Sequence, residues 1–382
     1  MKGDRYLQKY GLNKQEAISM VVNRHKPSNV RRIQQREIAE RAGVSVSTVS
    51  RVLNNVAGIS EAVTQKVLAV AAELGYQQDG TKPANSFHNV FLLTSLPQMP
   101  LLDPFHAEVL SSVEQECSRA GLHFSYASLR NGSAKIDLVA DRLRRNPVDG
   151  LLLLSIDDVG LIEQIQSLDL PTVMINVDRP ELAIDTFLPD NSQGALLAMH
   201  HLITHGHQRI LHVTWNERST IRRRLEAYQS ALAEAGLPYD PRLVVEAKMN
   251  ADDTYQEMKR KLTEEKVDFT AAFCANDLGA MGFMRAAQEA GYRVPEDISV
   301  IGFDDIESAA YLSPPLTTVR IETVELAKLA LKRLHDRVAA PDLTPIRVSL
   351  ACRLIERQSV ARPRSGATLL ADGQLLRPVR MI

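Results

Sequence analysis

The chain has 382 residues, 45% of them hydrophobic and 24% charged, with a formal net charge of −1. That balance excludes a disordered, collagen-like or uniformly basic protein, and the length provides two or three domains with cores of ordinary size. No apolar run reaches membrane-spanning length, and the start, MKGDRYLQKYGLNK, lacks the apolar stretch of a secretory leader, so the expected location is the cytoplasm. Cys117, Cys274 and Cys352 are too scattered for a disulfide or zinc framework and read as buried thiols. The small net charge hides an asymmetry. Residues 1–80 carry 12 Lys/Arg against 7 Asp/Glu, leaving the remainder at −6, the footprint of a small nucleic-acid module on an acidic body.

Residues 1–30 form an N-terminal extension with no readable chemistry. From residue 31 to 76 the pattern predicts three helices. QREIAERA places Ile38, Ala39 and Ala42 on one face, and Gly43 supplies the left-handed turn after it. Ser45 is the N-cap of a second helix over about Val46–Asn54 that buries Val49, Val52 and Leu53 and turns Ser47, Ser50 and Arg51 outward. Ser60 caps a third, with Val63, Val67, Val70, Ala71 and Leu74 as its apolar positions. Two helices joined by a short turn containing glycine form a helix-turn-helix layout.

Residues 77–89, QQDGTKPANSFHN, read as a linker. From residue 90 to 362 short apolar strands alternate with helical patterns: VFLLTSL, HFSYASL, GLLLLS, PTVMINV, RILHVT, LVVEA, TAAFCA and ISVIGF are the strands. Helices fill the intervals, among them DLVADRLRR and SQGALLAMHHLITHG. This predicts an α/β body of parallel, doubly covered sheets in two lobes, with a ligand cleft at the strand C-termini. Residues 363–382 read as a loose tail.

The second predicted helix has an unusual composition. GVSVSTVSRVLNN strings small hydroxyls along a helix, although serine and threonine favour caps over helix interiors. A helix in the DNA major groove needs that: small side chains for close approach, hydroxyls for phosphates, and one long fork for a base edge. Ser45, Thr48, Ser50 and Asn54 suit phosphates, Val46 and Ser47 sit in the first turn where bases are met, and Arg51 suits a guanine edge. The competing reading is a polar face on an ordinary three-helix bundle.

The segment EIAERAGVSVSTVSRVLNN…GISEAVTQKVLAVAAELGY resembles the headpiece of the lactose-repressor/galactose-repressor family of bacterial transcription regulators. The resemblance continues through DPFHAEV, VDGLLLLS, PTVMIN, DNSQGALLAMHHLITHGHQRI, FCANDLGAMGFMRAAQEAG and VPEDISVIGFDDIESAAYLSPPLTTVR, covering about residues 33–360. It implies a homodimer whose headpieces bind a near-palindromic operator, and a body built like a periplasmic sugar-binding protein that takes a small-molecule effector, a sugar or related metabolite. It puts Val46, Ser47 and Arg51 on base-reading positions and Ser45, Thr48, Ser50, Asn54 and Ser60 on phosphates. In the cleft it makes Phe105 a wall residue and Asn176, Arg224, Asn276 and Asp304 hydrogen-bonding partners of the effector, with Arg222 beside them. Taken alone, the body resembles a solute receptor without a DNA role. The linker departs from the family's hinge helix, with Gly80 and Pro83 set against a helix and Asn85 near the position of the wedge residue, for which Phe87 is a weak substitute; the expectation is flexibly tethered headpieces and looser operator spacing.

Other chemistries are not supported. His201 and His205 have a metal-ligand spacing within a cluster that includes His200, His207 and His212, but no glutamate base lies between them. No nucleophile elbow, phosphate loop or dinucleotide fingerprint is present, so neither an enzyme nor a cofactor is expected.

Overall fold

Residues 35–53, 59–74, 87–95, 103–129, 143, 148–264 and 268–364 are described in a computed structural model of the chain. It divides into two compact units, Met1–Ala84 and Asn85–Ile382.

In the first unit, helices α1 (Gln35–Ala42), α2 (Val46–Leu53) and α3 (Glu61–Leu74) pack around Ile38, Ala42, Val49 and Val67, each with no exposed surface. Gly43 adopts φ +65°, the left-handed conformation predicted for the turn. The Ser45 hydroxyl accepts from the Thr48 amide at 3.0 Å and caps α2. The N-terminal extension, Asn54, linker residues 77–86 and the tail beyond residue 364 lie outside the described residues.

The second unit is the predicted α/β body. Its larger sheet is wholly parallel, in the order β11-β5-β4-β3-β1-β2. The strands are β1 (Asn89–Ser95), β2 (His123–Leu129), β3 (Gly150–Leu154), β4 (Thr172–Ile175), β5 (Asp185–Pro189) and β11 (Arg347–Leu350). The smaller parallel sheet runs β7-β6-β8-β9, from β6 (Ile210–Thr214), β7 (Val244–Glu246), β8 (Ala271–Cys274) and β9 (Ser299–Ile301). A short antiparallel pair, β10 (Thr318–Arg320) and β12 (Arg353–Ile355), completes the strands. Strand β3 shows why these segments are uniformly apolar. Leu152 and Leu154 enter one core and Leu151 and Leu153 another, so both faces of the sheet are covered.

Helices α4 (Pro104–Arg119), α5 (Val159–Gln166) and α10 (Thr323–Ala339) flank the larger sheet. Helices α6 (Asn191–Thr204), α7 (Ser219–Glu234), α8 (Ala251–Glu264) and α9 (Asp277–Glu289) belong to the other lobe. The predicted helix DLVADRLRR lies, apart from Leu143, outside the described residues.

Two features go beyond the predicted elements. Strand β5, DTFLP, is fully buried despite its aspartate and proline. The structure also continues past Phe303 with β10, α10, β11 and β12, and α10 and β11 return to the first lobe. The chain therefore crosses between lobes three times: after β5, between β10 and α10, and between β11 and β12.

Two of the five clustered histidines, His207 and His212, are structural. His207 is buried, with Nδ1 on Thr270 Oγ1 at 2.8 Å and Nε2 on the Ala361 carbonyl at 2.9 Å. His212 is stacked between Tyr228 and Phe273, its Nδ1 on the Phe273 carbonyl at 2.9 Å. Among the described residues no group of three or more His, Cys, Asp or Glu side chains could hold a metal. Burial pushes His212 down to about 4, so the unfolded chain binds the extra proton as pH falls below 6.5 and stability is lost with it. The His212→Phe variant is expected to lose about 2 kcal/mol less than the wild type between pH 7 and pH 5. Urea melts at the two pH values measure this, and parallel losses would show that His212 is not the group responsible.

Candidate functional site

Helix α2 presents Val46, which is 46% exposed, together with the exposed Ser47 and Arg51, while Val49 and Val52 are buried against the other two helices. Ser45 Oγ lies 2.7 Å from Ser47 Oγ and 2.8 Å from Thr48 Oγ1, so the hydroxyls form a linked row at the N-terminus of the helix. Ser50 is half-buried, and Ser60 is exposed at the start of α3, where its carbonyl accepts from the Thr64 amide. A helix N-terminus carrying a partial positive charge and small hydroxyls favours phosphate oxygens.

In the second unit a cleft opens between the lobes where strands end. Asn176 follows β4, Trp215 follows β6, Asn276 follows β8, and Asp304 lies beyond β9; all four line it. Ser155, Asn176 and Asp304 carry positive φ values of 58°, 57° and 113°. Non-glycine backbone strain of this kind concentrates where a site is being shaped.

Arg224 anchors the floor. Only 3% exposed, it donates from Nε to Asn191 Oδ1 at 2.9 Å and from Nη1 to the Ala275 carbonyl, with Asp304 Oδ1 3.5 Å away. Its guanidinium lies 3.5 Å from the Phe303 ring centroid. Burial drives the Asp304 carboxyl up to about 7, against the opposing pull of Arg224. Asn276 caps α9 by accepting from the Gly279 amide at 2.8 Å and donates to the Met249 carbonyl at 3.1 Å. Phe105, at the start of α4, is 8% exposed and forms part of the wall.

Five of the six cleft residues expected from sequence thus line one cavity: Phe105, Asn176, Arg224, Asn276 and Asp304. Arg222 does not. It lies two positions before Arg224 on α7, which turns its guanidinium away, and Nη1 donates to the Asn216 carbonyl at 2.7 Å. Sequence reasoning missed Asp103, His106, Trp215, Arg218 and Lys248, which also line the cleft. Trp215, the one tryptophan of the chain, directly after a predicted strand, was the available signal.

Residues 35–79 match the family model described as bacterial regulatory proteins, lacI family, and residues 199–360 match the periplasmic binding protein-like domain. The ribose operon repressor of Haemophilus influenzae is 33% identical over 311 residues, which are 80% of this chain and 92% of that protein. The chain belongs to the lacI family of bacterial regulators. A solved complex of the transcriptional regulator CelR with cellobiose is 31% identical with a TM-score of 0.67, spanning 86% of this chain and all of that one. The lac repressor dimer bound to operator and an anti-inducer is 26% identical with a TM-score of 0.65, spanning 87% and 100%. This regulator is accordingly a sequence-specific DNA-binding transcription factor with a periplasmic-binding-protein-like effector domain, and its family is one of regulators, not enzymes.

Proposed function

We propose that the chain is a homodimeric repressor that reads a near-palindromic operator through α2 and is controlled by a sugar-class effector held between the lobes of its body. The observation that carries the DNA half is the division of α2 into a buried apolar stripe, Val49 and Val52, and an exposed face bearing Val46, Ser47 and Arg51. In this reading Arg51 bonds a guanine edge, Val46 and Ser47 set the neighbouring base preference, and Ser45, Thr48, Ser50, Asn54 and Ser60 contact phosphates. A C2 dimer supplies two such helices to two half-sites. The effector half rests on the strand-end cleft, where Arg224, Asn276 and Asp304 meet the aromatic rings of Phe105 and Trp215. Convergent polar groups beside apolar walls suit a polyhydroxyl ring. The ribose operon repressor and the cellobiose-bound regulator bear names of that class.

Operator selection from a random duplex library, followed by affinity measurements at fixed salt, tests the DNA half. Arg51→Ala is expected to cost about 1–3 kcal/mol and to relax discrimination at one base pair per half-site. Exchanging Val46 and Ser47 is expected to change the selected sequence. An unchanged consensus from both variants would remove α2 from base reading.

A further inference from the structure

Helix α7, which carries Arg224 to the floor of the cleft, does not cap itself. Helices α4, α5, α6 and α9 each begin behind an aspartate or asparagine, Asp103, Asp158, Asp190 and Asn276, whose side chain accepts from the backbone amide three residues on. In front of α7 stands Arg218, in extended conformation and with no capping bond from its side chain. The start of a helix leaves amide donors without internal partners, and where they are buried an acceptor must come from elsewhere. Ser219, the first residue of α7, is 3% exposed.

The acceptor comes from the other lobe. Asp157, on the segment after β3, accepts from the Ser219 amide through Oδ1 at 3.2 Å and from Arg218 Nε through Oδ2 at 2.8 Å. A carboxylate also suits the positive end of the helix. Its neighbour Asp158 accepts from the Leu161 amide at 3.0 Å and caps α5, so adjacent aspartates cap helices in two different lobes. Arg179 steadies the segment by donating from Nη2 to the Asp157 carbonyl at 2.8 Å. A second aspartate of the first lobe grips the same turn. Asp178, which follows β4 and is buried, donates its amide to Ser219 Oγ at 2.9 Å and accepts from Arg223 Nε through Oδ2 at 2.7 Å, while Arg347 of β11 holds its Oδ1.

We propose that Asp157 is the N-cap of α7 across the lobe boundary and that, with Asp178, it forms a clasp holding the two lobes together without any ligand. The lobes cannot part there without uncapping the helix that carries Arg224, so the order of the first turn of α7 and the apposition of the lobes are one equilibrium. This is independent of what the cleft binds.

Hydrogen exchange read by mass spectrometry on the ligand-free full chain, together with acrylamide quenching of Trp215, tests it. Trp215 is the one tryptophan of the chain and lines the cleft three residues before Arg218. Asp157→Ala removes the cap and the ion pair together. Peptides covering residues 216–222 are expected to exchange about tenfold faster, those covering 228–234 at the wild-type rate, and quenching of Trp215 is expected to rise. Asp157→Asn keeps an oxygen for the Ser219 amide and is expected to recover most of the protection. Asp178→Ala leaves every α7 amide with its partner and removes only the grip on Arg223, yet it is expected to speed exchange of the same peptides. If Asp157→Ala does not fold, Asp157→Asn and Asp178→Ala carry the test. Wild-type exchange in Asp157→Ala overturns the cap. Faster exchange with unchanged quenching, or wild-type exchange in Asp178→Ala, reduces Asp157 to a local cap and overturns the clasp. Equal acceleration over 228–234 overturns it as well, because the loosening would then belong to the whole helix.

Discussion

Gly282→Ala is expected to lower the unfolding free energy by about 3 kcal/mol or more. Gly282 lies on α9 where α8 passes closest. A Cβ there would sit 2.2 Å from the Ala251 carbonyl oxygen and 3.0 Å from both the Ala251 carbonyl carbon and the Tyr255 nitrogen. All three are backbone atoms, so no rotamer change makes room. The helices must part, loosening the core around Met258, Phe283 and Ala286, none more than 2% exposed. The cleft suffers too, because Met249 and Asn250 precede α8 and Asn276 is bonded to the Met249 carbonyl. Urea denaturation followed by circular dichroism measures the loss. Gly160→Ala on α5 is the control: its nearest neighbour is an Asp158 side-chain oxygen at 3.5 Å, and it is expected to gain up to about 1 kcal/mol. Equal midpoints for Gly282→Ala and wild type would mean that the two helix backbones are not in contact.

Arg224→Ala combines a large structural effect with a functional one. It strands Asp304 and the Asn191 side-chain oxygen in a buried floor, an arrangement that costs about 3–5 kcal/mol when one partner of a buried pair is removed. Proton uptake by Asp304, already raised to about 7, limits the cost at neutral pH. The helix proposed to read the operator belongs to the other unit, so effector-free DNA affinity is expected to persist while the response to sugar disappears. Fluorescence anisotropy on a labelled operator, with and without the sugar that binds the wild type, is the measurement. A variant that still responds would place the effector elsewhere.

Much of this architecture is legible in the chain because its periodicities are unmixed. Runs such as GLLLL have one physical solution, a strand covered on both faces, and the turn Gly43–Ser45 announces two helices. Strand β5 was not legible, because Asp185 and Pro189 read as breakers. Asp185 is tolerated inside because Arg333, Arg337 and the Ile346 amide converge on it from distant sequence. Helix α10 has a plain apolar stripe, Leu326, Ala330 and Leu334, yet nothing local reveals that it covers the first lobe and not the second. In the cleft, the family pattern located Arg224, Asn276 and Asp304. His106 and Trp215 belong to no spaced motif, and only the position of Trp215 directly after a predicted strand offered a signal. Arg222 was misplaced for a related reason: helical geometry, not proximity to Arg224 in sequence, decides which side of α7 faces the cavity.

The threefold passage of the chain between lobes bears on the order in which a ribosome can complete them. Strands β6 to β9 emerge as one continuous stretch, so the second-made sheet has all four of its strands by residue 301. The first-made sheet lacks its edge strand and its covering helix until residue 350 is out. Until then Asp185 has none of the partners 148 to 161 residues downstream that neutralise it. The larger sheet is therefore completed after the smaller one although its first strands are made earlier, and while residues 302–350 are being made a nascent chain holds a complete smaller sheet beside a larger one that lacks its edge strand.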